Sequence, residues 1–269
     1  MTDIRGDAAS VPIEAGSERN PPGSASNQAL ARGLHILRML VDEGEPMTAT
    51  EIARRIGIHQ SSASRILATL GEVGYVRKNQ GRFVPDYGVL ALGSATTRLP
   101  LIKRPRAAFE QLTAEHGDIT MTMCMLWRDE LLYLLRQTSG SEPLAFWSGA
   151  FPINVSAPGL RLLVDLPDEE ALHILRVARQ RNGWGGRPEL VPPTEEGLLA
   201  KARATVADDV LIMADWVVKG RTSGAIPLIT PEPHPVALAI VDDAGTLGPD
   251  RLALLLHKAR RLVEQSFLT

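Results

Sequence analysis

A single cysteine, Cys124, in 269 residues excludes an internal disulfide and any cysteine-based structural zinc site. A reducing compartment suits such a chain, and the cytoplasm is the expected location. Apolar runs of the roughly 18 to 20 residues needed to cross a bilayer are missing too. The amino end shows no charged start followed by an apolar core of the kind that directs secretion, and no membrane partner is expected. An excess of basic charge is also lacking. Lys and Arg number 29 against 31 Asp and Glu, a net charge of -2, so any nucleic-acid contact must rest on a local field. Signatures of catalysis are equally thin, with no nucleophile elbow and no phosphate-binding loop. Cys124 sits among methionines with no basic neighbour to favour its thiolate. His234 is enclosed by prolines in Pro231-Glu232-Pro233-His234-Pro235, and the adjacent pairs Asp208-Asp209 and Asp242-Asp243 mark surface turns. No enzyme, cofactor or metal is expected.

Against these gaps stands one well-formed stretch, Thr48 to Leu70. Thr48 and Glu51 have capping-box spacing, so that hydroxyl and carboxylate each satisfy a free backbone N–H at a helix start. Ile52, Ala53 and Ile56 share one face, and Gly57 supplies a reversal that a residue with a Cβ resists. Beyond it Ala63, Ile66, Leu67 and Leu70 recur at helical spacing, while Ser61, Ser64, Arg65 and Ala68 fall on the opposite side. Small hydroxyls and one guanidinium on a free helix face suit a DNA groove about 12 Å wide; a plain helical hairpin in a bundle has the same spacing. Tyr75-Val76-Arg77-Lys78, the turn Asn79-Gln80-Gly81 and Arg82-Phe83-Val84 read as a hairpin beside the second helix, a wing whose basic residues suit phosphate. From Ala49 to Lys78 five Arg or Lys stand against two Glu. The basicity is local and modest, so affinity is expected to need two copies of the module on one duplex.

The chain is too long for that module alone, and about two domains are expected. Residues 1–26, rich in Gly, Ser and Pro, read as a disordered arm. Leu30, Leu34, Leu37 and Val41, widened by Ile36 and Leu40, mark a helix that supports the pair within a DNA-binding domain over 27–87. Val89, Leu90, Leu92 and neighbouring alanines give an apolar linker helix over 88–100, which either pairs with its own copy or packs back on its own domain. From 101 to 269 the pattern is a helix to His116, strands at 121–127 and 131–135, and an extended piece at 144–147. Helices follow after Leu160, Pro167 and Thr194, then strands at 210–218, 224–229 and 236–241 and a last helix from Pro249. Strands interleaved with helices predict an α+β domain on one antiparallel sheet.

Thr50-Glu51-Ile52-Ala53-Arg54-Arg55-Ile56-Gly57-Ile58, Arg65-Ile66-Leu67-Ala68-Thr69-Leu70, Gly74-Tyr75-Val76 and Gly81-Arg82-Phe83, in that order, resemble the IclR family of bacterial transcription regulators. Weaker likenesses are Gly149 with Phe151-Pro152-Ile153, Ser156-Ala157-Pro158-Gly159-Leu160-Arg161, and Gly220 to Pro227. The resemblance implies a winged helix-turn-helix, a linker helix and a GAF-like effector-binding domain, working as a homodimer or homotetramer on an operator. Double-stranded DNA and a small-molecule effector are the implied partners. Carried over to this chain, Gln60, Ser61, Ser62, Ser64 and Arg65 face the groove, with Arg77, Lys78 and Arg82 beside it; Ser156, Ala157, Pro158 and Ser223 border the effector. Two departures bear on the ligand. Gly159-Leu160 stands where the family often has Gly-Lys, and a polar pair common on the late strand is replaced by Ala239 and Val241. Fewer hydroxyls hold a short carboxylate less firmly, so a larger or more aromatic effector is expected, with Trp127, Trp147 and Met121, Met123 and Met125 as candidate lining. Plain core is the competing reading of those residues. A constitutive DNA-binding protein with a degenerate second domain, or a ligand-sensing interaction protein, has the same sequence features.

Overall fold

A computed structural model of the chain describes residues 27–141, 144–147 and 152–268, the side chains of 144–147 excepted. The expected arm over 1–26, with Gly149 and Phe151, lies outside the described residues. The chain divides into two compact units between Thr96 and Thr97.

The first unit contains helices α1 (Gln28–Glu43), α2 (Ala49–Arg55) and α3 (Gln60–Glu72), strands β1 (Val76–Asn79) and β2 (Arg82–Pro85), and helix α4 (Gly88–Thr96). The capping box forms as the spacing predicts: the Glu51 backbone N–H donates to Thr48 Oγ1 at 3.2 Å, and the Thr48 N–H donates to the Glu51 carboxylate at 2.7 Å. The Thr48 N–H holds the Glu51 carboxyl below the ordinary carboxylate range, followed by the Thr48 hydroxyl. This help to the helix start is fully present above that range and is lost as the pH falls below it, through the lowered value of Glu51. Gly57 adopts φ +66, the left-handed corner between α2 and α3. Ala63 and Leu67 of α3 pack with Ile36 and Leu40 of α1 and Ile52 of α2 in one small core. The stripe expected to support the pair is only partly the one used. Leu30 and Leu34 are 62% and 60% exposed while Ile36 and Leu40 are fully buried, because the buried face is centred on Gly33, where a Cβ meets the Ile66 side chain at 3.5 Å.

The hairpin β1–β2 turns through Gln80 and Gly81, both at positive φ. It is wider than the sequence suggested, since Met47 and Phe83 exchange backbone hydrogen bonds at 3.0 and 2.7 Å. At the start of α4 the Gly88 N–H donates to Gly74 O at 3.0 Å, and a Cβ on Gly88 meets that same oxygen at 2.4 Å. The helix ends at Thr96, short of Pro100, and has no fully buried residue.

In the second unit the expected helix from Leu101 is divided into α5 (Pro100–Lys103) and α6 (Arg106–Glu115). Pro105, which has no N–H to donate, separates them. Next come β3 (Ile119–Trp127), β4 (Glu130–Thr138), β5 (Leu144–Trp147), a single 3-10 turn at Ile153–Val155, α7 (Ala157–Leu163), α8 (Asp168–Asn182) and α9 (Glu195–Thr205). The chain finishes with β6 (Val206–Ala207), β7 (Val210–Ala214), β8 (Thr222–Leu228), β9 (Val236–Asp242) and α10 (Pro249–Ser266). Among the described residues the strands form one sheet in the order β5-β4-β3-β9-β8-β7-β6, antiparallel at every pairing. The fold is therefore α+β, as the pattern predicts. Arg128-Asp129 and Asp208-Asp209 are two-residue turns at positive φ, the second of them connecting a strand β6 that the sequence did not reveal.

Alternation along the strands sorts the sheet into two faces. Met121, Met123, Met125, Ile226, Leu238 and Ile240 pack under α6 and α10. The opposite face is covered by α7, α8 and α9 and carries Leu211, Met213, Ala225, Ala237 and Ala239. Those alanines leave room for α7 to lie directly on the sheet, and every residue of α7 is buried. Its charged member, Arg161, donates from Nε to Asp209 O at 2.6 Å and from Nη1 to Asp165 at 2.6 Å.

Candidate functional site

On the helix-turn-helix, Ser61, Ser64, Arg65, Ala68 and Thr69 form an exposed face of α3, with Gln60 exposed at its first turn. Ser62 is half-buried at its side, one position before the core residue Ala63. Among the described residues the Arg65 guanidinium has no hydrogen bond or ion pair within its own unit. Packing by Ala63 and Leu67 thus fixes the helix from beneath and leaves hydroxyls and a guanidinium outward.

The three wing cations differ. Lys78 is exposed with its ammonium 5.7 Å from the centre of the Phe83 ring, and Arg77 lies 3.8 Å from the Asp86 carboxylate. Arg82, expected beside the groove, is instead engaged by the protein: Nη1 donates to Pro46 O at 2.9 Å and to Glu51 at 3.3 Å. It fastens the hairpin to the start of α2. Arg82→Ala is accordingly expected to lower thermal stability by about 1 kcal/mol, the worth of a hydrogen bond to a charged group part-exposed to water. The salt dependence of duplex binding should stay as it was, where loss of a phosphate contact reduces the slope by about one.

In the second unit a cavity of about 140 Å³ opens between α7, the start of β8 and the middle strands. Ser156, Ala157, Pro158 and Ser223, four of the residues expected around an effector, all line it. So do Ala239 and Val241, the apolar replacements on β9. Register explains the grouping, because Thr120 and Ser223 flank Val241 on the neighbouring strands while Thr122 and Ala225 flank Ala239. The strands beside β9 therefore supply hydroxyls where β9 lacks them. Sequence reasoning attended to Met121 and Met123 and passed over Thr120 and Thr122, although the polar-apolar alternation of that strand was the signal. Tyr133, Arg136, Met213, Trp216, Val217 and Arg221 complete the wall.

Trp127 requires correction as a lining residue. It shares the face of Met121, Met123 and Met125, packs against the core under α6 and α10, and lies under the Arg128 guanidinium at 5.3 Å. Those methionines are core for the same reason. Trp147 pairs with Tyr133 on the edge strand β5, and its side chain is outside the described residues.

Ser156 begins α7, and its Oγ accepts from the Gly159 N–H at 3.3 Å while sharing a 3.0 Å hydrogen bond with the Tyr133 hydroxyl. Burial raises the Tyr133 hydroxyl well above the usual phenol range, so it stays protonated beside the cavity. Burial likewise pushes the Cys124 thiol far up, against a hydrogen bond from Thr122. The approach to Ser156 is fixed by Asn154, fully buried, whose amide donates to Gly185 O at 2.8 Å and accepts from Gly185 N at 3.1 Å. Among the described residues no group of three or more His, Cys, Asp or Glu is placed to hold a metal ion, and no helix is long and apolar enough to cross a membrane.

Comparison with known proteins points in one direction. The model of the IclR helix-turn-helix domain matches residues 29–80. The transcriptional repressor IclR of Escherichia coli (strain K12) is 25% identical over 61% of this chain and 64% of that protein. The matches span about three fifths of the length of the curated relatives. An IclR family transcriptional regulator from Brucella abortus shares the fold at a TM-score of 0.70 with 21% identity, over 97% of this chain and 99% of that one. An IclR homolog complexed with 4-hydroxybenzoate, from Microbacterium hydrocarbonoxydans, does so at a TM-score of 0.61 with 22% identity, over 89% and 98%.

Proposed function

We propose that this chain, whose residues 29–80 match the IclR helix-turn-helix domain, is a metabolite-responsive transcription regulator of the IclR family. Residues 27–87 bind DNA, 88–100 act as a linker and 101–269 receive the effector. The observation that carries the reading is the bare face of α3, where Ser61, Ser64 and Arg65 stand exposed above a packed Ala63 and Leu67. A helix held from below with small polar residues outward suits entry into the major groove, with Arg65 toward base edges and Arg77 and Lys78 toward phosphate. Two modules in a homodimer or homotetramer read a near-palindrome whose half-sites are about one helical turn apart. The exposed Leu90 and Leu92 of α4 favour self-association. Selection of duplexes from a random pool by the full chain tests the reading, and recovery of no symmetric sequence overturns it.

The effector fits the cavity by size and chemistry. About 140 Å³ is close to an engineered cavity of roughly 150 Å³ that holds benzene. Trp216, Met213 and Val241 offer an apolar wall, while Arg136, Arg221, Thr120 and Ser223 offer donors. This combination supports a single-ring organic anion, in keeping with the ligand of the Microbacterium homolog. By calorimetry the chain is expected to bind benzoate more tightly than pyruvate or glyoxylate. Ala239→Ser combined with Val241→Ser puts back a hydroxyl pair, and should improve pyruvate binding about tenfold, one to two neutral hydrogen bonds' worth. An unchanged preference removes β9 as the determinant. Ligand that favours one arrangement of the oligomer would change operator occupancy through a coupling of about 1 to 3 kcal/mol.

A further inference from the structure

The cavity has a carboxylate of its own just outside its wall. Thr120 Oγ1 donates to Asp243 Oδ2 at 2.8 Å, and the Arg221 guanidinium donates from Nη2 to Asp243 Oδ1. Both donors line the cavity, whereas Asp243 lines a separate polar recess formed with Val218, Lys219, Gly220, Arg221 and Ala244. The arrangement follows from register. Thr222 of β8 pairs with Asp242 of β9 and Thr120 of β3 pairs with Val241, so the residues flanking β9 at this end of the sheet converge on Asp243. The Arg221 Nε is buried and has no hydrogen-bond partner among the described residues, which leaves a charged donor incompletely used beside the cavity.

We propose that Asp243 is an internal competitor for the effector's anionic group, holding Arg221 and Thr120 until a ligand carboxylate takes them over. The proposal rests on the reading of this cavity as an effector site. A guanidinium and a hydroxyl that together satisfy one carboxylate are chemically equipped to satisfy another, and a ligand that recruits them must displace the one already there. Asp243 is not required to close its own turn: the neighbouring Asp242 does that, its Oδ2 accepting from the Leu247 N–H at 2.6 Å. On the other side the Asp215 carboxylate accepts from Gly220 N at 2.5 Å, and Asp215 N donates to Arg221 O at 2.9 Å. Both loops are thus closed without the Arg221–Asp243 pair, and the pair is available for exchange. In this way Asp243 sets a threshold that an anion must exceed and that a neutral ring of the same shape does not meet.

The test uses the full chain, with benzoate and its neutral isostere benzamide as probes in calorimetric titration. Asp243→Asn keeps the shape and removes the charge, and is expected to bind benzoate roughly tenfold more tightly, the weight of one charge-assisted hydrogen bond, with benzamide unchanged. As a second measurement on the unaltered chain, the assigned Nε–H resonance of Arg221 should move on addition of benzoate and stay in place with benzamide. If wild type binds benzoate and the variant binds it no better, or gains equally for benzamide, Asp243 is a structural partner only and the cavity reading stands. Where the variant does not fold, a stationary Arg221 resonance on benzoate binding overturns the competition by itself. Failure of both proteins to bind either probe overturns the competition and the single-ring effector together.

Discussion

Replacement of Arg65 by alanine is expected to weaken binding to the selected duplex by roughly 10- to 100-fold, the approximately 1 to 3 kcal/mol carried by one good arginine contact in the major groove. Its size follows from position. Arg65 sits in the middle of the outward face of α3, four residues after Ser61 and directly above the turn that places Ala63 and Leu67 in the core. Among the described residues its guanidinium makes no hydrogen bond or ion pair, unlike that of Arg82. Thermal stability and benzoate binding should therefore be preserved, which separates a lost contact from a lost fold. Fluorescence anisotropy against the selected duplex and against a scrambled one distinguishes base reading from phosphate binding. A base contact loses more on the selected sequence, whereas a phosphate contact loses about equally on both. Affinity unchanged on either duplex would take Arg65 out of the interface and leave α3 without its one cation.

Asn154→Ala is expected to have the largest effect on stability, about 2 to 4 kcal/mol in the C-terminal unit, because it empties a fully buried position and leaves both the N–H and the carbonyl of half-buried Gly185 without that partner. For a unit of this size that corresponds to a fall in melting temperature of roughly 5 to 15 °C. The same change bears on the cavity. Asn154 belongs to the turn that delivers Ser156, and the loop it holds packs tightly, with a Cβ on Gly186 meeting the Val191 and Val155 side chains at 2.5 and 2.7 Å. Benzoate affinity should drop along with stability. Differential scanning calorimetry with and without benzoate checks both, and a melting temperature within 2 °C of wild type, a shift too small for a lost buried pair, would show that water replaces the amide.

The helix-turn-helix was legible because its signals are local. A capping box, a corner glycine and a 3.6-residue stripe each act over a few neighbouring residues, and each formed where its spacing put it. The antiparallel sheet was legible as a class for a related reason, since alternation and two-residue turns are short-range. Long-range matters were not. Arg82 carries the same charge as Lys78, and nothing within the hairpin tells which of them meets Pro46 and Glu51 from thirty or more residues away in the chain. Similarly, Thr120 lies far along the chain from Arg221 and Ser223 and comes beside them only through the register of three strands. Trp127 was placed by size and hydrophobicity, properties that suit a ligand wall and a core equally. The parity of its position in β3, odd with the methionines, decided for the core.

The bond between Met47 and Phe83, with Arg82 reaching Pro46, has a bearing on how this protein can be recombined with its relatives. A chimaera that exchanged the hairpin alone for one without arginine at position 82 would leave Pro46 O and the Glu51 carboxylate without that donor. The smallest interchangeable block runs from Pro46 through Asp86, whose N–H is tied back to Tyr75 O at 2.8 Å. Grafts cut at those seams should inherit sequence preference intact, while cuts inside them should yield folding defects that masquerade as altered specificity.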